Sequence, residues 1–138
     1  MKRFGIEVIQ ATAAEQATPL LVLPLFEGDR EPVGSAPEVD APVGGELARV
    51  LSRGDFKGKR DEALILYPRA GELGAERVLL VGLGKEVDAK AESVRRALGT
   101  SVRQAERLGV AALAVSLDVL DRVADRLGAE AAAQAATE

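Results

Sequence analysis

Arg77-Val78-Leu79-Leu80-Val81, closed by Gly82-Leu83-Gly84, constrains the fold more than any other part of the sequence. Branched and unbranched aliphatic residues follow one another with no polar alternation, the pattern of a strand covered on both faces. A strand of that kind needs helices above and below its sheet, so the remaining chain must supply strands and helices in alternation. Leu20-Leu21-Val22-Leu23 with Leu25-Phe26 has the same continuous character. Pro24 interrupts it and predicts either an edge position or a break in pairing, because proline has no N–H to give to a ladder. Ala63-Leu64-Ile65-Leu66-Tyr67, stopped by Pro68, and Val110-Ala111-Ala112-Leu113-Ala114-Val115 read as further strands. Phe4-Gly5-Ile6-Glu7-Val8-Ile9 alternates, as a strand with one buried face does.

The helical signals fall between these runs. Leu47, Val50 and Leu51 stand at three- and four-residue spacing ahead of Gly54, which predicts a helix there. From Asp88 to Leu108 a stripe of Ala91, Val94, Leu98, Ser101 or Val102, Ala105 and Leu108 repeats at helical period, with Arg95, Arg96, Arg103 and Arg107 on the opposite side. Glu92 and Arg96 are spaced to pair one turn apart, and Gly109 is placed to end the helix. Asp118 predicts the cap of a last helix through Val119, Leu120, Val123 and Leu127. The stretch from Glu27 to Pro42 concentrates Gly, Pro, Asp and Ser and reads as a long surface connection. Within it, Glu38 and Asp40 read as solubilising residues or as caps for the helix that follows. The fold class is α/β: a three-layer α/β/α sandwich with a mixed sheet. It occupies residues 1–128, and the segment 129–138 reads as an alanine-rich tail.

Composition narrows the chemistry. The 138 residues are 47% hydrophobic, enough for one buried core, and only 3% aromatic, so that core is expected to be aliphatic. His, Cys and Asn are absent. That removes Ser-His-Asp and Cys-His relays, imidazole and thiolate metal ligands, and disulfides. A formal net charge of −4 and a pI near 5.0 disfavour a nucleic-acid surface, which needs clustered cations to displace counterions. Met1-Lys2-Arg3-Phe4 does not lead into the apolar run of a signal peptide, and no stretch has the length of a membrane span. A cytoplasmic location is expected, with no membrane partner.

Each candidate site has a plainer explanation. Gly82-Leu83-Gly84 follows a strand and precedes a helix, the setting of a dinucleotide turn, but Val87 stands where a third Gly or Ala is required. A phosphate loop fails too, since Lys85 is followed by Glu86 and not by Ser or Thr. The glycines read as a turn by which the strand leaves the sheet. Asp55, Asp61 and Glu62, around a Lys-rich turn, could be imagined as an acid/base pair or a metal site; alternating charges on a loop read as solvated. The four helix arginines, interspersed with Glu92 and Glu106, read as an ion-paired solvent face. Tyr67 reads as a packing residue with a satisfied hydroxyl, and Ser35, Ser52, Ser93 and Ser101 lack a base to activate them. No catalytic, cofactor-binding or metal-ligating residue is assigned.

The order of segments is more specific than any one of them. Gly54-Asp55-Phe56-Lys57-Gly58-Lys59, a strand closing at Tyr67-Pro68, Arg77-Val78-Leu79-Leu80-Val81-Gly82-Leu83-Gly84-Lys85, and a helix carrying Arg95-Arg96-Ala97-Leu98-Gly99-Thr100 together resemble the amino-terminal domain of the leucyl (cytosol) aminopeptidase family. The resemblance implies a macro-like fold over residues 1–128, with 129–138 the start of a linking helix to a carboxy-terminal catalytic domain. That second domain is the chain's implied partner, and it would hold two divalent metal ions, zinc or manganese, and release amino-terminal residues from peptides. It also implies a homo-oligomer, a hexamer in the family, in which this domain is structural. On that reading the chain itself is inactive and carries none of the family's catalytic or metal residues. Two alternatives remain at this level: a stand-alone macro-like module that binds ADP-ribose or another nucleotide, and a DNA-binding accessory domain.

Overall fold

The computed structural model describes residues 5–9, 15, 17–34, 36–125 and 127–128. Phe4, Ser35 and the segment 129–138 lie outside the described residues. Among the described residues there are five strands, β1 at Gly5–Ile9, β2 at Leu21–Leu25, β3 at Ala63–Leu66, β4 at Val78–Gly82 and β5 at Ala112–Ser116. They form one sheet in the order β1-β5-β2-β4-β3. The neighbours are parallel except for β3, which runs antiparallel to β4 from Ala63↔Val81 to Leu66↔Val78. The sheet is therefore mixed, as predicted.

Side chains alternate across the pleat, so the two continuous aliphatic runs feed two cores. Leu21, Leu23, Leu25, Val78 and Leu80 face α1 (Ala36–Asp40) and α2 (Glu46–Arg53), where Val39, Leu47, Leu51 and Phe56 meet them. Val22, Leu79, Val81, Leu113 and Val115 face α3 (Ala91–Leu108) through Ala97 and Ala105. Every residue of β2 and β4 is buried. Each such aliphatic side chain contributes about 1.5–3 kcal/mol, which makes the three layers mutually dependent. Phe26 and Phe56 are also fully buried, one in each core, so the interior is not purely aliphatic.

Pro24 lies in the middle strand, not at an edge. β2 pairs with β4 along its whole length, from Leu21↔Val78 to Leu25↔Gly82, whereas its pairing with β5 covers only Leu21 and Val22. The break predicted at proline falls on the β5 side. β2 and β5 part towards their carboxyl ends, at the strand where the chain's path turns from one half of the sheet to the other.

Several local expectations change. The stretch from Glu27 to Pro42 is not all surface: α1 lies within it and buries Ala36 and Val39, with Val43 buried just beyond. Pro37 fits the first turn of α1, where an N–H has no intrahelical partner. Asp40 does cap the following helix, its carboxylate accepting from the Leu47 N–H at 3.0 Å and the Ala48 N–H at 3.3 Å. Gly54 and Gly109 end α2 and α3 in the left-handed conformation, at φ of 76° and 73°. α3 starts at Ala91, not Asp88, because Glu86–Asp88 forms a separate 3₁₀ turn and the Ser93 hydroxyl accepts the Lys90 N–H at 3.1 Å. The deepest face of α3 is Ala97, Thr100, Ser101 and Ala105, with Val94, Leu98 and Leu108 at its border. Small residues let the helix lie close to the sheet. The last helix begins as a 3₁₀ segment at Asp118–Val123, preceded by Leu117, and Asp118 supplies no capping bond.

Because Asp40 satisfies two amide donors of α2, Asp40→Ala is expected to lower stability by about 1 kcal/mol with an unchanged denaturant slope, as read by urea unfolding.

Candidate functional site at the carboxyl ends of the strands

The loop Gly54–Lys59 and the turn Gly82–Lys85, distant in sequence, interlock through their backbones. The Gly82 N–H donates to Glu62 O and the Gly84 N–H to Gly58 O, each at 2.9 Å. The Leu83 N–H donates to Leu25 O and the Glu27 N–H to Gly84 O, also at 2.9 Å, and the Gly28 N–H reaches Lys57 O at 3.3 Å. Glycine is required here by close approach. A β-carbon on Gly82 would run into the Lys59 carbonyl oxygen and sit 2.6 Å from the Gly58 carbonyl carbon. One on Gly58, at φ +80°, would lie 2.5 Å from Phe26 O. These contacts account for the two glycines as a packing junction.

The junction forms the floor of an open groove of about 820 Å³ at the carboxyl end of β4 and the start of α3. Lys59, Arg60, Lys85, Lys90 and Arg96 line it together with Glu27, Asp61, Asp88 and Glu92. Small-molecule sites are usually apolar clefts with a few converging polar groups. This one is a mixed-charge surface.

Asp61 anchors one wall. It has a left-handed φ of 68°, and its carboxylate receives both arms of the Arg96 guanidinium, Nε at 3.3 Å and Nη2 in closer contact. The hydrogen bond from Arg96 holds the Asp61 carboxyl below its ordinary pKa and raises that of Arg96 in turn. The expected Glu92–Arg96 pair is therefore replaced: Arg96 turns to Asp61, and Glu92 pairs with Arg95 at 3.6 Å. A planar fork meeting both oxygens of a carboxylate, here side-on through Nε and Nη2, is the stronger geometry. Glu62 is also occupied, its Oε1 accepting the Lys57 N–H at 3.0 Å and the Lys59 N–H at 3.1 Å. Asp55 stands at the end of α2, where its N–H donates to Val50 O. Among the described residues, no three His, Cys, Asp or Glu side chains converge into a metal-binding group.

Tyr67 differs from its predicted packing role. It is 64% exposed, lying just past the outer strand β3 where Pro68 turns the chain away. The Ser52, Ser93 and Ser101 hydroxyls all bond to nearby backbone groups. One cluster has no counterpart in the sequence reading. Arg122 donates to Asp29 at 2.8 Å and to Glu86 at 2.7 and 3.1 Å, and its guanidinium lies 5.2 Å from the Phe26 ring centroid. Its partners lie 93 and 36 residues away, so no local pattern announces them.

The sequence profile of the cytosol aminopeptidase family, N-terminal domain, matches residues 22–138. The chain belongs to the cytosol aminopeptidase family. A probable cytosol aminopeptidase of Geobacter is 38% identical over 112 residues, covering 81% of this chain and 22% of that protein. Another, from Alkaliphilus oremlandii, is 31% identical over 117 residues, covering 85% of this chain and 23% of that protein. A third, from Cupriavidus pinatubonensis, reaches 46% over 86 residues, covering 62% of this chain and 16% of that protein. The chain thus spans less than a quarter of the length of these family members. A solved tomato leucine aminopeptidase superposes with a TM-score of 0.63 at 22% identity, over 83% of this chain and 23% of that one. The DarG macrodomain of Mycobacterium tuberculosis superposes with a TM-score of 0.60 at 14% identity, over 81% of this chain and 75% of that one. These likenesses establish the macro-like α/β fold of this family domain. No helix among the described residues is long and apolar enough to cross a membrane.

Two outcomes follow from the site. Gly82→Ala is expected to lose about 3 kcal/mol or more in urea unfolding, since backbone must move. Gly99→Ala, half-buried in mid-α3 with only the Arg103 guanidinium near, at 3.5 Å, is expected to gain up to about 1 kcal/mol. Equal effects at the two glycines would contradict the junction. For Asp61, whose folded pKa is depressed, the stabilising contribution is present above the unfolded carboxylate's pKa and is lost as pH falls through the folded value. NMR titration should place the Asp61 carboxyl below the ordinary aspartate range and return it to that range in Arg96→Gln. An unmoved midpoint would refute the pairing.

Proposed function

We propose that this chain is the non-catalytic amino-terminal domain of a metal-dependent leucyl aminopeptidase, a cytoplasmic enzyme that releases amino-terminal residues from peptides. The observation carrying this reading is the family match over residues 22–138 together with the small share, 16 to 23%, that the chain makes of relatives named probable cytosol aminopeptidases. In the proposal, peptide hydrolysis belongs to a carboxy-terminal domain that holds two divalent ions, zinc or manganese, and a homo-oligomer, a hexamer, is the working assembly.

The side chains here support a structural role. Asp61 is taken by Arg96, Asp29 and Glu86 by Arg122, Asp40 by the start of α2, and Glu62 by the amides of its own turn. A two-metal hydrolase needs several carboxylates aimed at one point, and carboxylates already committed to separate loops are placed for holding those loops together. What the domain offers its neighbours is shape: a rigid three-layer body with charged loops at one end.

The likeness to a macrodomain keeps nucleotide binding as a second reading. Against it, the five cations of the groove stand among four carboxylates and Arg96 is already taken by Asp61, so no clustered cationic pocket faces a pyrophosphate. Calorimetric titration of the chain with ADP-ribose is expected to show no micromolar binding.

The direct test compares the purified 138-residue chain with the full-length protein that carries this domain, using a leucyl amide substrate and added zinc or manganese. The full-length protein is expected to turn over and the chain to stay at the metal-only blank. Metal-dependent turnover by the chain alone would overturn the proposal.

A further inference from the structure

Three segments meet at the carboxyl end of the sheet, on the side where β2 and β5 part. The first is the loop leaving β2, with Phe26 and Asp29; the second is the 3₁₀ turn Glu86–Asp88; the third is the 3₁₀ segment Asp118–Val123. Arg122 is the point they share. Its Nη1 donates to Asp29 Oδ2 at 2.8 Å and its Nη2 to Glu86 Oε2 at 2.7 Å, with Nε and Nη2 making longer bonds of 3.1 Å to Glu86 and 3.4 Å to Asp29. A single guanidinium thus uses its whole fork on two carboxylates from two loops, which a lysine could not reproduce.

The three members differ in how they are held. Val119 and Val123 are buried in the core beside α3, so the segment bearing Arg122 is fixed independently of the ion pairs. The two acidic loops border the charged groove. Glu27, next to Asp29, and Lys85 and Asp88, on either side of Glu86, line the groove described above. The Asp29 carboxylate is only 17% exposed, while Glu86 and Arg122 are 37% and 36% exposed, so the cluster is partly shielded and still reachable by salt.

We propose that Arg122 is a clasp: mounted on a core-anchored segment, it holds both loops at the carboxyl-end groove closed, and each loop can be released by removing its own carboxylate. The clasp is a conformational device in the fold and stands whether or not the chain serves an aminopeptidase. Phe26 completes it, since the guanidinium lies over a buried aromatic ring and gains attraction from the π face. The hydrogen bonds to Glu86 and then to Asp29 raise the pKa of Arg122, so the clasp does not open by losing its proton.

The test is residue-level amide exchange on the 138-residue chain. The reporters are the N–H of Gly28 in the first loop, whose 3.3 Å bond to Lys57 O is the longest beside the junction, and those of Asp88 and Ala89 in the second, all hydrogen bonded in the closed arrangement. Leu80 in β4 reports the global fold. Arg122→Gln is expected to speed exchange roughly tenfold in both loops while Leu80 is little changed. Asp29→Asn should speed only the first loop, and Glu86→Gln only the second. The clasp is overturned if Arg122→Gln leaves both loops unchanged, or if the two carboxylate variants each affect both loops equally. Should Arg122→Gln speed Leu80 as well, the selectivity of the two carboxylate variants decides the matter alone.

Discussion

Backbone packed on backbone at Gly58 and Gly82, with Gly84 hydrogen bonded beside them, is the contact on which the rest of this structure depends. β4 is buried on both faces and must leave the sheet through a place where two other chain segments already lie, the turn after β2 and the loop before β3. Only a residue without a β-carbon allows the Lys59 and Phe26 carbonyls to come so close. The hydrogen bonds gained there extend the sheet beyond its strands, and they set the floor of the charged groove. The antiparallel edge strand β3 is placed by the same contact, because Glu62, immediately before it, accepts from Gly82.

From that junction the acidic residues acquire their roles. A chain with 22 acidic residues has enough carboxylates to build a metal site, but here the loops recruit them singly. Asp40 caps, Glu62 closes a turn, Asp61 ties a loop to α3, and Asp29 and Glu86 share one arginine. Each is spent on positioning backbone. In this domain of the cytosol aminopeptidase family, these carboxylates hold loops at one end of the sandwich.

Much of the fold was legible in the sequence because its strongest signals are local. The uninterrupted runs at Leu20–Leu23 and Arg77–Val81 give the central strands, Gly54 and Gly109 give helix ends, and the order of these segments resembles one family domain. What escaped reading depends on distance or on competition. Ala36 and Val39 lie in a Gly- and Pro-rich stretch, where turn chemistry masks a short buried helix. The pairing of Arg96 with Asp61 in place of Glu92 could not be foreseen from helical spacing, since the better partner comes from a loop. Tyr67 is exposed because Pro68 turns the chain away at an outer strand, a consequence of strand order that no single segment carries. The candidate site was the least legible part: its glycines stood out as a motif, but the reason for them lies 24 residues earlier in the chain, at Gly58.

The claim that the glycine junction belongs to the structural core, and is not merely a surface turn, is tested most directly by native-state amide exchange at Gly82 and Gly84. If the junction opens only when the sheet does, both amides exchange within about tenfold of Leu80 at the centre of β4. Exchange at the rates of exposed loops, with Leu80 still protected, would contradict it.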